Sequence, residues 1–340
     1  MSDYGIKTFR QLQMNRESAI GTPGASWFNW RGLGLLDDQR VSVFPEEDIG
    51  IFGGTDRQYF PQLRGELNMP SQPATFEQLG HILDAGIARA TPADDGAGSG
   101  KIRTYTMPIA ADDAVDADDL QTYHIKNGDN AAVDKTGGAF VKSFALEGAR
   151  NEAWMLTVNW ETQEVAKDGD GFVVATVPDV EEMMFNLSKI YIDDEDGAFG
   201  ANQAEVVLTN ATLNVETGWQ ALFTADGSLA YSNIKQRKPE IMLNLTLEMT
   251  ASVAAAEREN WRASVPRLIR LVCEGSELTT EGTDYANKTL IVDAAAKWDK
   301  FDPLGDDDGD DIITGTLRCR YNAESASFFE MVLVNEVAAL

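Results

Sequence analysis

Carboxylates are the side chains with the most chemical potential in this sequence. The chain has 55 Asp and Glu residues against 28 Lys and Arg, and its net charge is −27. Many of them cluster in runs such as ADDAVDADD, YIDDEDG and LGDDDGDD. Glycoside hydrolysis needs two carboxyl groups about 5–10 Å apart in one cleft. Spacing along the chain does not reveal such a cleft.

The run LGDDDGDDIITG resembles a calcium-binding loop. With Gly309 at the sixth position of an EF-hand loop, Gly315 occupies the twelfth position, where a carboxylate ligand is required. The run YIDDEDGAFG fails in the same way, because Gln203 falls at its twelfth position. Neither run is an EF-hand, and both a cation site and a solvated acidic turn stay open for each.

Other chemical motifs are missing from the sequence. It has no GxSxG, P-loop or GxGxxG pattern in a strand-to-helix context. Its two histidines, His81 and His124, are far apart, and no cysteine pair has the spacing of zinc ligands. Cys273 and Cys319 lie in apolar runs and are expected to be small buried side chains. We therefore expect no catalytic residue, no metal site and no cofactor.

The negative charge and the hydropathy limit the partners. A surface this acidic repels nucleic acid and anionic membranes. No apolar run approaches the roughly 20 residues that span a bilayer. The N-terminus MSDYGIKTFRQ lacks the apolar region of a signal peptide. We expect a protein that folds in a cytoplasm and makes no membrane contact.

The elements that position these side chains are mostly strands. Short β-type runs alternate with turns, and only Thr75–Ile87 and about Ala254–Ala263 favour helices. The pattern predicts a mostly β fold with two tandem barrels or sandwiches, each flanked by a short helix. The first helix has an apolar stripe beside which His81 is expected at the surface or rim.

Two regular strands precede the two helices. In RGELNMPSQP, Glu66 and Asn68 share a polar face, and in PEIMLNLTLEM the polar face carries Asn244, Thr246 and Glu248. Because the same strand-to-helix order occurs twice, the two stretches are candidates for equivalent parts of a repeat.

The ends of the two halves, EAWMLTVNWET and SFFEMVLVNEV, also match. Pairing Asn159 with Asn335 gives an offset of 335 − 159 = 176 residues. This offset predicts a duplication, with an N-terminal arm plus a first β domain in residues 1–170 and a second β domain in residues 171–340. The alternative is two unrelated β units that share turn patterns.

The stretch FRQLQMNRESAIGTPGASWFNWRGLGLLDDQRVSVFPEEDIG resembles the start of tail tube (major tail) proteins of long-tailed bacteriophages. That family has an Arg/Lys–Glu segment, here Arg16 and Glu17, followed by GT, an extended arm and an acidic P-E-x-x-G-like stretch. The stretches RGELNMPSQPATFEQLGHIL, LQTYHIKNGDNAA, GAFVKSFALEG, VETGWQALFTADGSLAYSN and MVLVN are also similar to the family, so the resemblance spans nearly the whole chain.

The resemblance implies a structural virion protein of the phage tail that is not an enzyme. Its subunits would join edge strands into rings, and the rings would stack into a tube for genome passage into the host. Family members with one β unit form hexamers, whereas a duplicated chain would need three copies. The resemblance also implies contacts with tape measure, terminator and distal tail proteins, and assembly in the host cytoplasm.

Two sets of residues become candidates for these contacts. Glu66, Asn68, Asn244, Thr246 and Glu248 are predicted to line the lumen, where genomic DNA would pass without specific binding. A solvated sheet face is the open alternative for these five residues.

The second set lies in the predicted arm. Arg16, Glu17, Trp27 and Trp30 would contact an adjacent ring, and a local loop whose two Trp cover the core is the alternative. Two other functions also stay open: another phage assembly protein, such as a tail terminator or capsid decoration protein, and a soluble β-rich carbohydrate-active protein.

Overall fold

A computed structural model describes residues 4–54, 56–110, 119–205 and 207–340 of the chain, so most of the acidic run ADDAVDADD lies outside the described residues. In the described residues the predicted mostly β class is confirmed, with two α-helices, α1 (Leu79–Gly86) and α2 (Ala254–Arg262). The strands before residue 170 are β1 (Gln11–Ala19), β2 (Thr22–Asn29), β3 (Leu35–Asp38), β4 (Gly65–Pro73), β5 (Ala93–Asp94), β6 (Lys101–Thr106), β7 (Tyr123–Gly128), β8 (Val133–Ala149), β9 (Met155–Thr162) and β10 (Ala166–Lys167). The later strands are β11 (Ser188–Asp194), β12 (Leu208–Glu216), β13 (Trp219–Leu222), β14 (Asn233–Gln236), β15 (Glu240–Glu248), β16 (Arg267–Glu277), β17 (Asn287–Phe301), β18 (Gly305–Asp307), β19 (Asp310–Cys319) and β20 (Phe329–Asn335). Short 3-10 helices span Lys7–Phe9 and Phe185–Leu187.

Eight strands form one continuous antiparallel sheet, which we call the inner sheet. Its order is β3-β4-β9-β8-β12-β15-β19-β17. The long strands β8 and β17 contribute only their C-terminal parts to it. Their N-terminal parts belong to two outer sheets, ordered β2-β1-β7-β8-β10 and β11-β16-β17-β20-β6-β5. A long strand can serve two sheets because a β-bulge bends it between them.

The main apolar core lies behind the inner sheet. In β15 the residues Ile241, Leu243, Leu245 and Leu247 are buried, while the alternate residues are at least partly accessible. The same alternation in β4, β9 and β12 supplies the core from the other strands. One buried cluster contains side chains from both halves of the chain, so the halves share a core.

The helix α1 is enclosed in this core, and the expected surface position of His81 is wrong. The His81 side chain is 8% exposed, its Nδ1 lies 2.9 Å from the hydroxyl oxygen of Tyr123, and its ring stacks on Phe28 at 4.4 Å. Burial lowers the pKa of His81 to about 3, and the positive charges of Arg16 and Arg103 add to the effect. The hairpin β1–β2 packs over the polar side of α1, which carries His81 and Asp84.

The strand pairings occur twice. The series β1-β7-β8-β9-β4-β3 before residue 170 has the same order as the series β11-β16-β17-β19-β15-β12 after it. A bulge follows Val141 in β8 and Trp298 in β17, which makes these two residues equivalent. By this register Asn159 is equivalent to Thr316 of β19, and Asn335 lies in the following strand, β20.

The two halves are also joined by strand pairing. β8 pairs with β12, and β6 pairs with β20. Each of these pairs joins a strand from before residue 170 to a strand from after it. The division into domains of residues 1–170 and 171–340 stays a prediction.

Candidate functional site

The candidate functional site is the side of the inner sheet that faces away from the core, which we call the polar face. All five residues predicted to line a lumen lie on it, and each is partly accessible. They are Glu66, Asn68, Asn244, Thr246 and Glu248. The structure therefore brings the two predicted strands, which lie far apart in the sequence, into one surface.

Strand register aligns the polar face in rows. One row contains Asn68, Asn159, Ser143, Glu216 and Glu240. A second row contains Met155, Glu147, Thr212, Asn244, Thr316 and Lys300. Both rows run from β9 through β8 and β12 to β15, so the surface is uninterrupted where the halves of the chain meet.

Neutral side chains on this face bond to one another across strands. The Thr316 hydroxyl donates to Oδ1 of Asn244 at 2.8 Å, and the hydroxyls of Thr246 and Thr314 are 2.9 Å apart. Such cross-strand pairs stabilise a sheet.

Carboxylates face one another on the same surface. Glu66 lies directly opposite Glu161, and Glu216 directly opposite Glu240. Like charges in this arrangement destabilise a strand pair. Burial raises the pKa of Glu216, the charge of Glu240 adds to the rise, and Lys142 opposes it.

Basic side chains offset part of this repulsion. Nζ of Lys142 is 3.8 Å from Oε2 of Glu161, and Nη1 of Arg318 is 2.7 Å from Oε1 of Glu240. The polar face therefore combines opposed carboxylates with flanking cations and neutral amides, and its charge is mixed.

Arg16, which was predicted to contact an adjacent ring, has partners in its own chain. It lies in β1, with Nη2 2.9 Å from Oδ2 of Asp84 in α1 and 3.1 Å from Oε1 of Gln121. Asp84 is fully buried, and it also accepts bonds from the hydroxyl of Tyr105 at 3.0 Å and the N–H of Ala90 at 3.2 Å. Burial raises the pKa of Asp84, and Arg16 opposes that rise.

Glu17 is a buried junction between strands. Its carboxylate accepts bonds from the N–H groups of Gly21 and Gly138, both at 2.8 Å, and from the Thr122 hydroxyl at 2.7 Å. Nδ1 of His124 lies 3.1 Å from its Oε1. Glu17 thus ties β1 to the β1–β2 turn, to β8 and to the segment before β7.

The two Trp of the predicted arm differ. Trp30 is 6% exposed and belongs to the main core. Trp27 lies on the paired strand β2, edge-on to His124, with Nζ of Lys126 5.1 Å from the centre of one of its rings. An inter-ring contact through this hairpin stays a prediction.

Many residues of the polar face were not predicted from the sequence. The omitted residues lie on β8, β9, β12 and β19, and they are Ser143, Glu147, Thr157, Asn159, Glu161, Thr212, Asn214, Glu216, Thr314, Thr316 and Arg318. Alternation in TVNWET and LTNATLNVE carries the signal for these positions. Only strand register shows that they share a surface with β4 and β15.

Neither acidic turn forms a metal site in the residues that the structure describes. LGDDDGDD folds into a hairpin between β18 and β19, whose turn residues Asp308 and Gly309 have φ of 55° and 97°. Within residues 4–54, 56–110, 119–205 and 207–340, no group of three or more His, Cys, Asp or Glu is placed to hold a metal ion.

The fold and the polar face define a β-rich protein built around one large antiparallel sheet. The family model for phage tail tube protein matches residues 11–320, and the chain therefore belongs to this family of structural virion components. No curated protein matches the sequence. In the part of the chain that the structure describes, no helix is long and apolar enough to cross a membrane.

Proposed function

We propose that the chain is the repeating subunit of a phage tail tube. Copies join into rings, the rings stack, and the polar face lines the channel through which the genome passes into the host. The observation that carries this proposal is the inner sheet, whose eight strands present one continuous and mostly polar face over a single core.

The chemistry of the polar face suits a channel for DNA. Protein binds DNA mainly by releasing counterions from phosphates when Lys and Arg approach them. On the polar face, opposed carboxylates at Glu66–Glu161 and Glu216–Glu240 repel phosphates, and the flanking cations Lys142 and Arg318 each lie beside one of these carboxylates. Each opposed pair also destabilises the folded subunit. We therefore attribute these pairs to the function of the polar face and not to the stability of the fold.

The repeated pairings support a ring of three copies. Each chain supplies two equivalent series of strands, which is twice the single unit of a hexameric ring. The ring assembles in the host cytoplasm and then contacts the tape measure, terminator and distal tail proteins in the virion. The subunit acts by shape and charge and catalyses no reaction.

Electron microscopy of the purified chain over a range of concentrations tests the proposal. We expect rings with a regular central hole that stack into tubes as the concentration rises, with three chains per ring by mass measurement. Compact monomers at every concentration and salt condition would overturn the proposed function. Closed rings of six chains would overturn the stoichiometry alone.

A further inference from the structure

The junction between the two halves of the chain suggests how two copies meet. Inside the chain, β12 lies between β15 and β8. Its equivalent before residue 170 is β3, because Leu36 opposes Leu67 as Leu213 opposes Leu243. In the described residues β3 pairs with β4 alone, so it is one end of the inner sheet.

The other end of the inner sheet is the C-terminal part of β17. The matching bulges make Ser143 of β8 equivalent to Lys300 of β17. The C-terminal part of β8 pairs with β9 on one edge and with β12 on the other. In the described residues, the C-terminal part of β17 pairs with β19 on one edge only. The edge of β17 that corresponds to the β12 contact is the second end of the sheet.

A hairpin follows β12 and docks on the first half of the chain. Its tip lies against the ends of β4 and β9: Leu63 N–H donates to the Leu229 carbonyl at 2.9 Å, and Nε2 of Gln163 donates to the Tyr231 carbonyl at 2.7 Å. Tyr231 is fully buried, and its hydroxyl donates to the carbonyl of Gly138 at 2.7 Å. Trp219 and Phe140 belong to the same apolar cluster.

Among the described residues, the equivalent place on the second half is an open groove. By the strand register, Leu63 corresponds to Pro239 and Gln163 to Arg320. Pro239 and Arg320 line a groove of about 540 Å³ at the ends of β15 and β19. Its apolar lining includes the side chains of Ile109 and Tyr321, which are 42% and 53% exposed.

The segment that would fill this groove is the connection from β3 to β4, residues 39–64. It is a hairpin of the same kind, since Val43 and Tyr59 exchange backbone hydrogen bonds of 2.9 and 3.1 Å at the positions equivalent to the Gln220–Lys235 pair. Its large apolar side chains are exposed in the single chain: Val41, Phe44, Ile49, Ile51, Phe52 and Tyr59. Exposed apolar clusters of this kind mark interaction sites.

Charge also matches the hairpin to the groove. The hairpin tip PEEDIGIFGGTD, residues 45–56, carries four acidic residues, one of which, Glu47, is paired with the next residue, Arg57, at 2.6 Å. The groove is lined by Lys238, Arg318 and Arg320, with Glu240 as its acidic member. Opposite charges on two surfaces favour this pairing and its register.

We propose that β3 and the hairpin of residues 39–64 of one copy dock on β17 and the groove of the next copy, as β12 and its hairpin dock on β8 within the chain. This inference rests on the proposed ring assembly and specifies its contact. The register places Asp37 opposite Asp302 of the neighbouring copy, since their equivalents Asn214 and Ala145 are opposed. Lys300, 3.1 Å from Asp302, is diagonal to Asp37 and offsets the acidic pair.

A disulfide across the contact tests the register. The variant Asp37→Cys/Asp302→Cys is oxidised after assembly and run on a non-reducing gel, and a covalent trimer is expected as the largest main product. The native Cys273 and Cys319 do not interfere because both are buried, which raises their pKa values to about 11 and about 12. In the matched control Asp37→Cys/Asp299→Cys, the second thiol is displaced by three residues, roughly 10 Å along the strand, and stays unlinked.

The outcomes separate this contact from the proposed function. Rings seen by microscopy without the Asp37–Asp302 link, or with an equal link in the control, would overturn the contact and leave the ring intact. A wild-type chain that never forms rings would overturn the proposed function and this contact with it.

A second variant tests the groove without new cysteines. Phe44→Asp/Phe52→Asp changes side chains that are exposed in the single chain, so its thermal unfolding should match the wild type. We expect the concentration needed for ring assembly to rise at least tenfold. The control Leu187→Asp, also exposed but far from the hairpin in sequence, should assemble normally. Normal assembly of the double variant would overturn the docking of the hairpin.

Discussion

Removing Arg16 should destabilise the subunit strongly. The variant Arg16→Ala leaves Asp84 buried without its cation, with the Tyr105 hydroxyl and the Ala90 N–H as its remaining donors. Removing one partner of a buried ion pair costs about 3–5 kcal/mol. Since the Arg16 side chain is 24% exposed, we expect the lower value, about 3 kcal/mol at pH 8.

The loss should depend on pH. Burial raises the pKa of Asp84 above its unfolded value, so the folded state binds the proton more tightly and stability falls as pH rises through the folded pKa. Arg16 lowers this pKa, so its removal extends the effect to higher pH. The deficit of Arg16→Ala should therefore be largest at pH 8 and shrink toward pH 5.

Urea unfolding followed by tryptophan fluorescence at both pH values measures the effect. The second change Asp84→Asn removes the uncompensated charge and should recover at least half of the loss. Arg40→Ala is the control, because Arg40 and its partner Asp38 are each about one third exposed and such pairs contribute about 1 kcal/mol or less. A deficit below about 1 kcal/mol, or one equal at both pH values, would refute the internal role of Arg16.

Two further predictions concern the polar face. Because burial and Glu240 raise the pKa of Glu216, the carboxylate weakens the fold as pH rises through that pKa, so Glu216→Gln should add a few tenths of a kcal/mol at pH 8 and nothing at pH 4. Glu147→Gln, opposite Met155 and Thr212, is the control in urea unfolding, and an equal gain there would contradict the reasoning. The variant Asn68→Lys/Asn244→Lys adds two cations per chain to the polar face. Tubes of this variant should bind short duplex DNA at low salt and protect it from nuclease. The bound DNA should be released as the salt concentration rises. Asn186→Lys/Asn233→Lys is the matched control, whose bound DNA should be digested; digestion in both variants would place the polar face outside the channel.

The regular strands could be predicted from the sequence. Alternation alone identified β4 and β15 and the polar sides that they share with Asn68 and Asn244. The helix expected at about Ala254–Ala263 is confirmed as Ala254–Arg262. These elements follow local rules, because each buries one side against a common core.

The strands β1 and β2 could not be predicted, because β1 buries Gln13 and Asn15 as well as Leu12 and Met14, and no residue of β2 is fully buried. Gln13 and Asn15 are at most 1% exposed. Nδ2 of Asn15 donates to the Ser26 carbonyl at 2.8 Å, so this side chain replaces apolar packing with bonds to the neighbouring strand. A segment that buries Gln and Asn in this way has the composition of a loop, and the sequence therefore favoured an extended arm.

The omitted part of the polar face has a different cause. Residues such as Asn159 and Thr316 lie in different strands, and their common surface depends on pairings between distant segments. The match of Asn159 with Asn335 failed for the same reason, since similar letters at the ends of two halves do not fix which strands are neighbours. Pairing identified the equivalent strands because the two bulges mark the same place in β8 and β17.

A duplicated chain also changes the physics of assembly. In a ring of single units every contact must form between separate molecules, whereas here the β8–β12 contact forms within the chain at an effective concentration set by the connecting segment. In the proposed three-copy ring, half of the equivalent contacts are therefore already formed in the folded monomer. The other half would be made by β3 and residues 39–64, and the exposed Phe44 and Phe52 would make the free subunit prone to association. A chain of this design should show a sharp concentration threshold, because any open assembly keeps two exposed edges until a third contact closes the ring.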